Sequence, residues 1–171
     1  SDHRIMSPLK NDLKACAQCH EESPEELRGK VFAIQDEAAS RLIRAGYATA
    51  RVAKLFELAN NGAAAGKALD EALYAQARAA YEDALYRVLY IQNENSTGFH
   101  NPEEVLRIRK DAKTFHEQAD SLLRRAMAQA GIEAPAVVDL ELDKYLNHRG
   151  EKKIMHRPEW VIADPLPERR D

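Results

Sequence analysis

Asn101-Pro102-Glu103-Glu104-Val105 opens the stretch whose reading decides the fold. From Val105 the apolar residues Ile108, Ala112, Phe115, Ala119, Leu122 and Ala126 follow at alternating steps of three and four, uninterrupted as far as Gly131. Side chains at that spacing return to one face of a helix, so the stretch is a single amphipathic helix with a seam like that of a coiled coil. Asn101 is placed to cap it, Pro102 suits its first turn, and Glu103 and Glu104 sit at the positive end of its dipole.

Upstream, a polar break at Asn95-Ser96-Thr97-Gly98-Phe99-His100 separates this helix from another, expected from about Leu69 to Asn95. Its stripe is Leu73, Ala77, Ala80, Ala84, Val88 and Ile91, widened by Tyr74, Tyr81 and Leu85. A longer helix precedes it. Ser23-Pro24-Glu25-Glu26 is a capping box, and Leu27, Val31, Ile34, Ala38, Leu42, Ala45, Val52, Phe56 and Ala59 carry the apolar face. Asn60-Asn61-Gly62 reads as its stop. A short helix around residues 9–20, begun at Ser7-Pro8, comes first, and a shorter amphipathic one is expected over residues 139–149, ended by Gly150. The last residues, with Pro158, Pro165 and Pro167, read as an extended tail pinned by Trp160. At 1.5 Å per residue the two longest helices are roughly 50 Å and 40 Å long. They overshoot a compact globule of this size, whose radius of gyration is roughly 15 Å. The expectation is therefore an elongated antiparallel bundle, or helices that pack against another chain or against more of the same one.

Inside the first short helix lies Cys16-Ala17-Gln18-Cys19-His20. Two cysteines on one helical turn face the same way, so each sulfur can reach one of the two vinyl groups of a porphyrin while the next histidine lies under the iron. The motif reads as covalent c-type haem attachment. Its alternatives are a zinc site, a redox pair and coincidence. Structural zinc takes four protein ligands, and this chain has no second cysteine pair. A thioredoxin-like pair needs a βαβ setting, and the flanks look helical. A haem here uses both cysteines and leaves none for a disulfide.

Composition sets the bounds. With 171 residues and 44% hydrophobic content there is enough for one domain with a core, while sparse glycine and proline and 6% aromatics favour helix over sheet. The 25 basic and 28 acidic residues are interspersed, which leaves no electrostatic footprint for nucleic acid. No apolar run has the length of a transmembrane segment, and no signal peptide opens the chain at Ser1. Because c-type haem is attached outside the bacterial cytoplasm, a haem reading expects an export signal elsewhere, and a mature form or a piece of a longer precursor. There is no internal repeat and no low-complexity tract.

These features in order, Asp2-His3, Ser7-Pro8-Leu9, Ala15-Cys16-Ala17-Gln18-Cys19-His20, the long helices and Glu94-Asn95-Ser96-Thr97-Gly98-Phe99-His100-Asn101-Pro102, resemble the C-terminal part of ammonia-forming cytochrome c nitrite reductase, a periplasmic pentahaem enzyme. The resemblance weakens after about residue 131. It implies an all-α fold of long antiparallel helices, with a covalently bound c-type haem on a short N-terminal helix. It divides the chain into a haem-attachment segment (1–22), a long-helix bundle and dimerisation region (23–150) and an extended tail (151–171). By the same resemblance Cys16 and Cys19 hold the fifth haem and His20 is its proximal ligand. His3 and His100 are similar to the distal ligands of the second and fourth haems, which lie outside this chain. Both sit in loops beside turn residues, where the backbone can aim an imidazole, and two nitrogen ligands give a low-spin iron of lower potential than His/Met ligation.

The implied function is an electron relay within six-electron reduction of nitrite to ammonium at a haem elsewhere. No motif ending in lysine, catalytic arginine, tyrosine or histidine, or calcium site of that family has a counterpart here, so the isolated chain is expected to be inactive. Implied partners are the rest of the nitrite reductase polypeptide or another haem-bearing segment, a second copy joined through the long helices, and an electron-donor cytochrome or quinol dehydrogenase. The second reading is a stand-alone monohaem electron-transfer cytochrome on the same scaffold, for which Met6 or Met155 could be the sixth ligand, although lone methionines are more often packing. The third is a helical partner with an unmodified motif. His116, one position past Phe115, reads as a helix flank or surface residue. His148 suits a helix C-terminus, His156 has no assignment, and Lys152, Lys153, Arg169 and Arg170 read as solvated surface.

Overall fold

The computed structural model describes residues 7–141. Three α-helices dominate it: α1 (Pro24–Ala64), α2 (Glu71–Asn93) and α3 (Pro102–Gln129). No strand occurs among the described residues. The expected all-α fold is therefore observed. His3, Met6 and everything expected beyond residue 141 lie outside the described residues, and residues 139–141, where the shorter amphipathic helix was expected to begin, are irregular.

The starts of α1 and α3 follow their sequence signals, and that of α2 is capped in the same way. Ser23 Oγ accepts from the Glu26 amide at 3.2 Å while Glu26 Oε2 accepts from the Ser23 amide at 2.8 Å, which completes the capping box of α1. Asp70 Oδ1 accepts from the Leu73 amide at 2.9 Å, and Asn101 Oδ1 from that of Glu104 at 3.1 Å. Ser23→Ala is expected to cost about 1 kcal/mol and to fray the first turn of α1, measured as a lower midpoint in urea with little change in total helicity.

The stop of α1 differs from expectation. The helix passes through Asn60-Asn61-Gly62 and ends at Ala64. Gly66, at φ +90°, closes it: the Gly66 amide donates to Ala63 O at 2.9 Å and that of Lys67 to Gly62 O at 3.1 Å, the two bonds of a Schellman cap. Gly62 serves packing instead, since a Cβ there would collide with the Ile132 side chain.

Short connections make successive helices antiparallel. At one end Val52, Leu55 and Ala59 of α1 meet Ala77 and Ala80 of α2 and Ala119, Leu123 and Met127 of α3. Toward the other end Ile91 packs with Val105 and Ile108, joined by Leu42. All six stripe residues expected of α2 are buried. On α3 the seam drifts: His116 and Leu123 are buried where Phe115 and Leu122 were expected, because a 3.6-residue helix advances past a 3.5-residue repeat. Between Ala38 and Val52, α1 buries no residue fully. It is also far longer than α2 and α3, with 41 residues or roughly 60 Å. Gln35 Nε2 donates to Ser96 O at 2.9 Å in the loop between α2 and α3, so the first turns of α1 project beyond the end of that pair.

Candidate functional site

At the projecting end, the expected short helix is two 3-10 turns, Pro8–Asn11 and Cys16–Gln18. Asp12 and Leu13 lie between them at φ 57° each, a left-handed conformation that no continuous helix accommodates. That break carries Leu13 into the protein, where it is buried, while Asp12 Oδ1 accepts from Arg28 of α1 at 3.1 Å. After the break the Cys19 and His20 amides both donate to Cys16 O at 3.1 Å. Cys16, Cys19 and His20 therefore share one turn, as the spacing required.

This turn is open to solvent. Cys16 is half-buried, Cys19 and His20 are exposed, and the cysteines are not paired with each other. Among the described residues no three His, Cys, Asp or Glu side chains, this trio included, are placed to hold a bare metal ion. The donor set fits a macrocycle better: two thiols and an imidazole on one turn with an unobstructed side. His20 Nδ1 lies 3.4 Å from Glu22 Oε2, a neighbour able to orient the ring and direct Nε2 outward. Lys30, 2.7 Å from Glu22 Oε1, holds the Glu22 carboxyl down to about 2, so it stays anionic beside the imidazole.

His100 sits in the second loop named by the sequence, at the end of the α2–α3 pair. Glu94 organises that loop: its carboxylate accepts from Ser96 Oγ at 2.6 Å and from the Ser96 and Gly98 amides at 2.8 and 2.9 Å. Burial alone would raise the Glu94 pKa, but these hydrogen bonds outweigh it and the carboxyl is lowered. Ser96 Oγ accepts from the His100 amide at 3.2 Å. The His100 ring is exposed beside Phe99, with centroids 4.2 Å apart. Glu94 was not singled out as an organiser, although a carboxylate two and four residues ahead of turn amides is a usable signal. The same holds for Glu22, two residues past His20.

Gly98 makes the turn possible at φ +89°, and a Cβ there would stand 3.3 Å from Ala38 Cβ. Gly98→Ala is expected to cost about 1–2 kcal/mol, against about 1 kcal/mol for Gly66→Ala, which is left-handed too but faces open space. Urea melts of both variants measure the difference, and equal losses would remove the crowding argument.

A family model described as cytochrome c552 matches residues 1–171. The chain belongs to the cytochrome c552 family. It is 28% identical over 163 residues to the cytochrome c nitrite reductase subunit NrfA of Nitratidesulfovibrio vulgaris, covering 94% of this chain and 31% of that one. It is also 29% identical over 185 residues to cytochrome c-552 of Porphyromonas gingivalis, covering 94% and 34% respectively. This cytochrome c552 chain thus spans about a third of the length of the curated relatives it matches.

His116 departs from expectation. It is buried, and its Nε2 lies 2.8 Å from Thr49 Oγ1 of α1. The drift of the α3 seam turned it inward, a signal available from 3.6-residue spacing. Among the described residues no helix is long and apolar enough to cross a membrane.

Proposed function

We propose that this chain is the electron-relay segment of a periplasmic, ammonia-forming cytochrome c nitrite reductase, with one haem c attached through Cys16 and Cys19 and ligated by His20. The observation that carries the reading is the exposed single turn shared by those three residues, at the projecting end of a chain of the cytochrome c552 family. A haem bound there supplies a one-electron couple. The protein's own part is to hold two thiols and an imidazole in register, to keep Glu22 anionic beside His20, and to leave one side of the turn open for neighbouring groups.

His100 extends the reading. Its exposed ring, on a loop pinned by Glu94 and Ser96, is aimed outward toward an iron carried by another segment, and His3 has the same proposed role. Nitrite itself would be reduced elsewhere, in the part of the enzyme outside this third. The seam from Val105 to Ala126 is occupied by the intrachain core, so a homodimer through the long helices would use their outer faces, where Tyr86, Leu89 and Tyr90 of α2 are exposed.

The test is a reduction assay on the chain matured in a host that attaches c-type haem. Reduced methyl viologen should shift its Soret band, yet nitrite should not be consumed. Sustained ammonium formation would overturn the claim that the reaction centre lies outside this chain, and a matured product without a Soret band would end the haem reading.

A further inference from the structure

Two contacts from the first turns of α1 bracket the Cys16-Cys19-His20 turn. Before it Arg28 donates to Asp12 Oδ1 at 3.1 Å, and after it Lys30 donates to Glu22 Oε1 at 2.7 Å. The start of α1 is itself fixed by the Ser23–Glu26 capping box, so Glu22 stands between a braced helix on one side and the motif on the other. Lys30 takes one carboxylate oxygen. The second, Oε2, lies 3.4 Å from His20 Nδ1. Of the four glutamates over residues 21–26, Glu22 alone is half-buried, whereas Glu21, Glu25 and Glu26 are exposed. Its side chain is turned back toward the ring.

A neutral histidine that ligates iron through Nε2 keeps its one ring proton on Nδ1. In this chain Nδ1 is the nitrogen that faces Glu22, so the tautomer ligation requires is also the one that gives the carboxylate a donor. The separation of 3.4 Å is long for a charge-assisted N–H···O bond, which usually measures about 2.7–2.9 Å. The exposed ring can close that gap by turning on its own side-chain bonds. A carboxylate acceptor draws the Nδ1 proton toward itself and leaves more electron density on the imidazole, which favours ferric over ferrous iron. As an exposed pair the contact adds little to stability, so its consequence is electronic.

We propose that Glu22 is a positioning residue that holds down the reduction potential of the iron ligated by His20, by accepting a hydrogen bond from His20 Nδ1. The role rests on the haem reading above and adds the means by which that haem is tuned. Lys30 keeps the acceptor aimed, since its bond to Oε1 stops a loop carboxylate from rotating into solvent and leaves Oε2 on the side of the ring. Among the levers a protein has on a haem, this one is hydrogen bonding behind the axial ligand.

Redox titration of the haem-loaded chain, followed through the Soret band, tests this. Glu22→Gln should move the reduction equilibrium about tenfold toward the ferrous form, which is about 59 mV for one electron. Glu22→Asp keeps the charge but stops one methylene short of the ring, and it should shift the potential in the same direction. Glu25→Gln removes the same charge three residues further along and should leave the potential close to the parent's. The iron–histidine stretching frequency of the photolysed carbonyl adduct should fall in both Glu22 variants and hold in Glu25→Gln. Circular dichroism should be alike in all four proteins. An unshifted potential in Glu22→Gln with an intact Soret band overturns this role and leaves the haem reading standing, whereas a parent chain without a Soret band ends both. A parent-like potential in Glu22→Asp, or a shift in Glu25→Gln equal to that in Glu22→Gln, would show a general effect of surface charge and overturns the role as well.

Discussion

With Cys16 and Cys19 both changed to serine, the chain matured in a host that attaches c-type haem is expected to carry no haem through denaturing electrophoresis, whereas the parent chain does. Intact mass should differ by one haem in addition to the two substitutions. The argument is chemical: thioether bonds survive unfolding, and serine cannot form them, so an axial bond from His20 alone is lost when the chain denatures. The helices should persist, because Cys19 is exposed and Cys16 only half-buried, and neither belongs to the two apolar clusters between α1, α2 and α3. Far-ultraviolet circular dichroism close to the parent's separates lost attachment from lost fold. If the parent chain itself emerged at the mass of the bare polypeptide, the attachment reading would fail outright.

The apolar clusters that hold the helices, neither of which includes the Cys16–His20 turn, also explain what was legible in the sequence. The starts of α1 and α3 were legible because capping is local: Ser23 with Glu26 and Asn101 with Glu104 each lie within three residues of one another, and Asp70 with Leu73 has the same spacing although it was not singled out. The α2 stripe was legible because small residues at Ala77, Ala80 and Ala84 leave one way to bury the helix between larger neighbours. The loop around His100 was legible from its turn residues, and the shared turn of Cys16, Cys19 and His20 from its cysteine spacing. What escaped was whatever depends on register between helices. A seam counted in steps of three and four put Phe115 and Leu122 inside, whereas the straight helix had moved on to His116 and Leu123. Gly62 was taken as a stop because its contact, Ile132, is remote in sequence. The continuous short helix failed at Asp12 and Leu13: aspartate tolerates left-handed backbone, but leucine rarely adopts it, so a run of two such residues was not expected. Three arginines on α1 and three cations on α3 read as ordinary charged faces until the two helices are aligned. Only then do they share one cleft.

The buried histidine revealed by that alignment should set the pH dependence of stability. Thr49 Oγ1 has one proton and donates it to Ala45 O at 2.9 Å, so it can only accept from His116 Nε2 at 2.8 Å. The ring is therefore the neutral Nε2–H form, and protonation would place a charge in a buried position faced by Arg44 and Arg51 from α1 and by Lys113, Glu117 and Asp120 from α3. Burial first, and the Arg51 charge second, push the His116 pKa down to about 4 from its ordinary 6.5. Between those values the unfolded chain binds a proton that the folded chain does not, so this contribution to stability is complete above about pH 6.5 and is lost as the pH falls toward 4. The loss amounts to roughly 2 kcal/mol once the opening of the site onto the cleft is allowed for. His116→Gln keeps an N–H for Thr49 and removes the titration. Urea melts at pH 7.5 and 4.5 should show the parent losing about 2 kcal/mol more than the variant over that interval, while the variant starts less than about 1 kcal/mol lower at pH 7.5. An equal acid sensitivity in both proteins would place the proton uptake on other groups, the lowered carboxyl of Glu94 first among them, since it too loses its stabilising hydrogen bonds as the pH falls through its folded pKa.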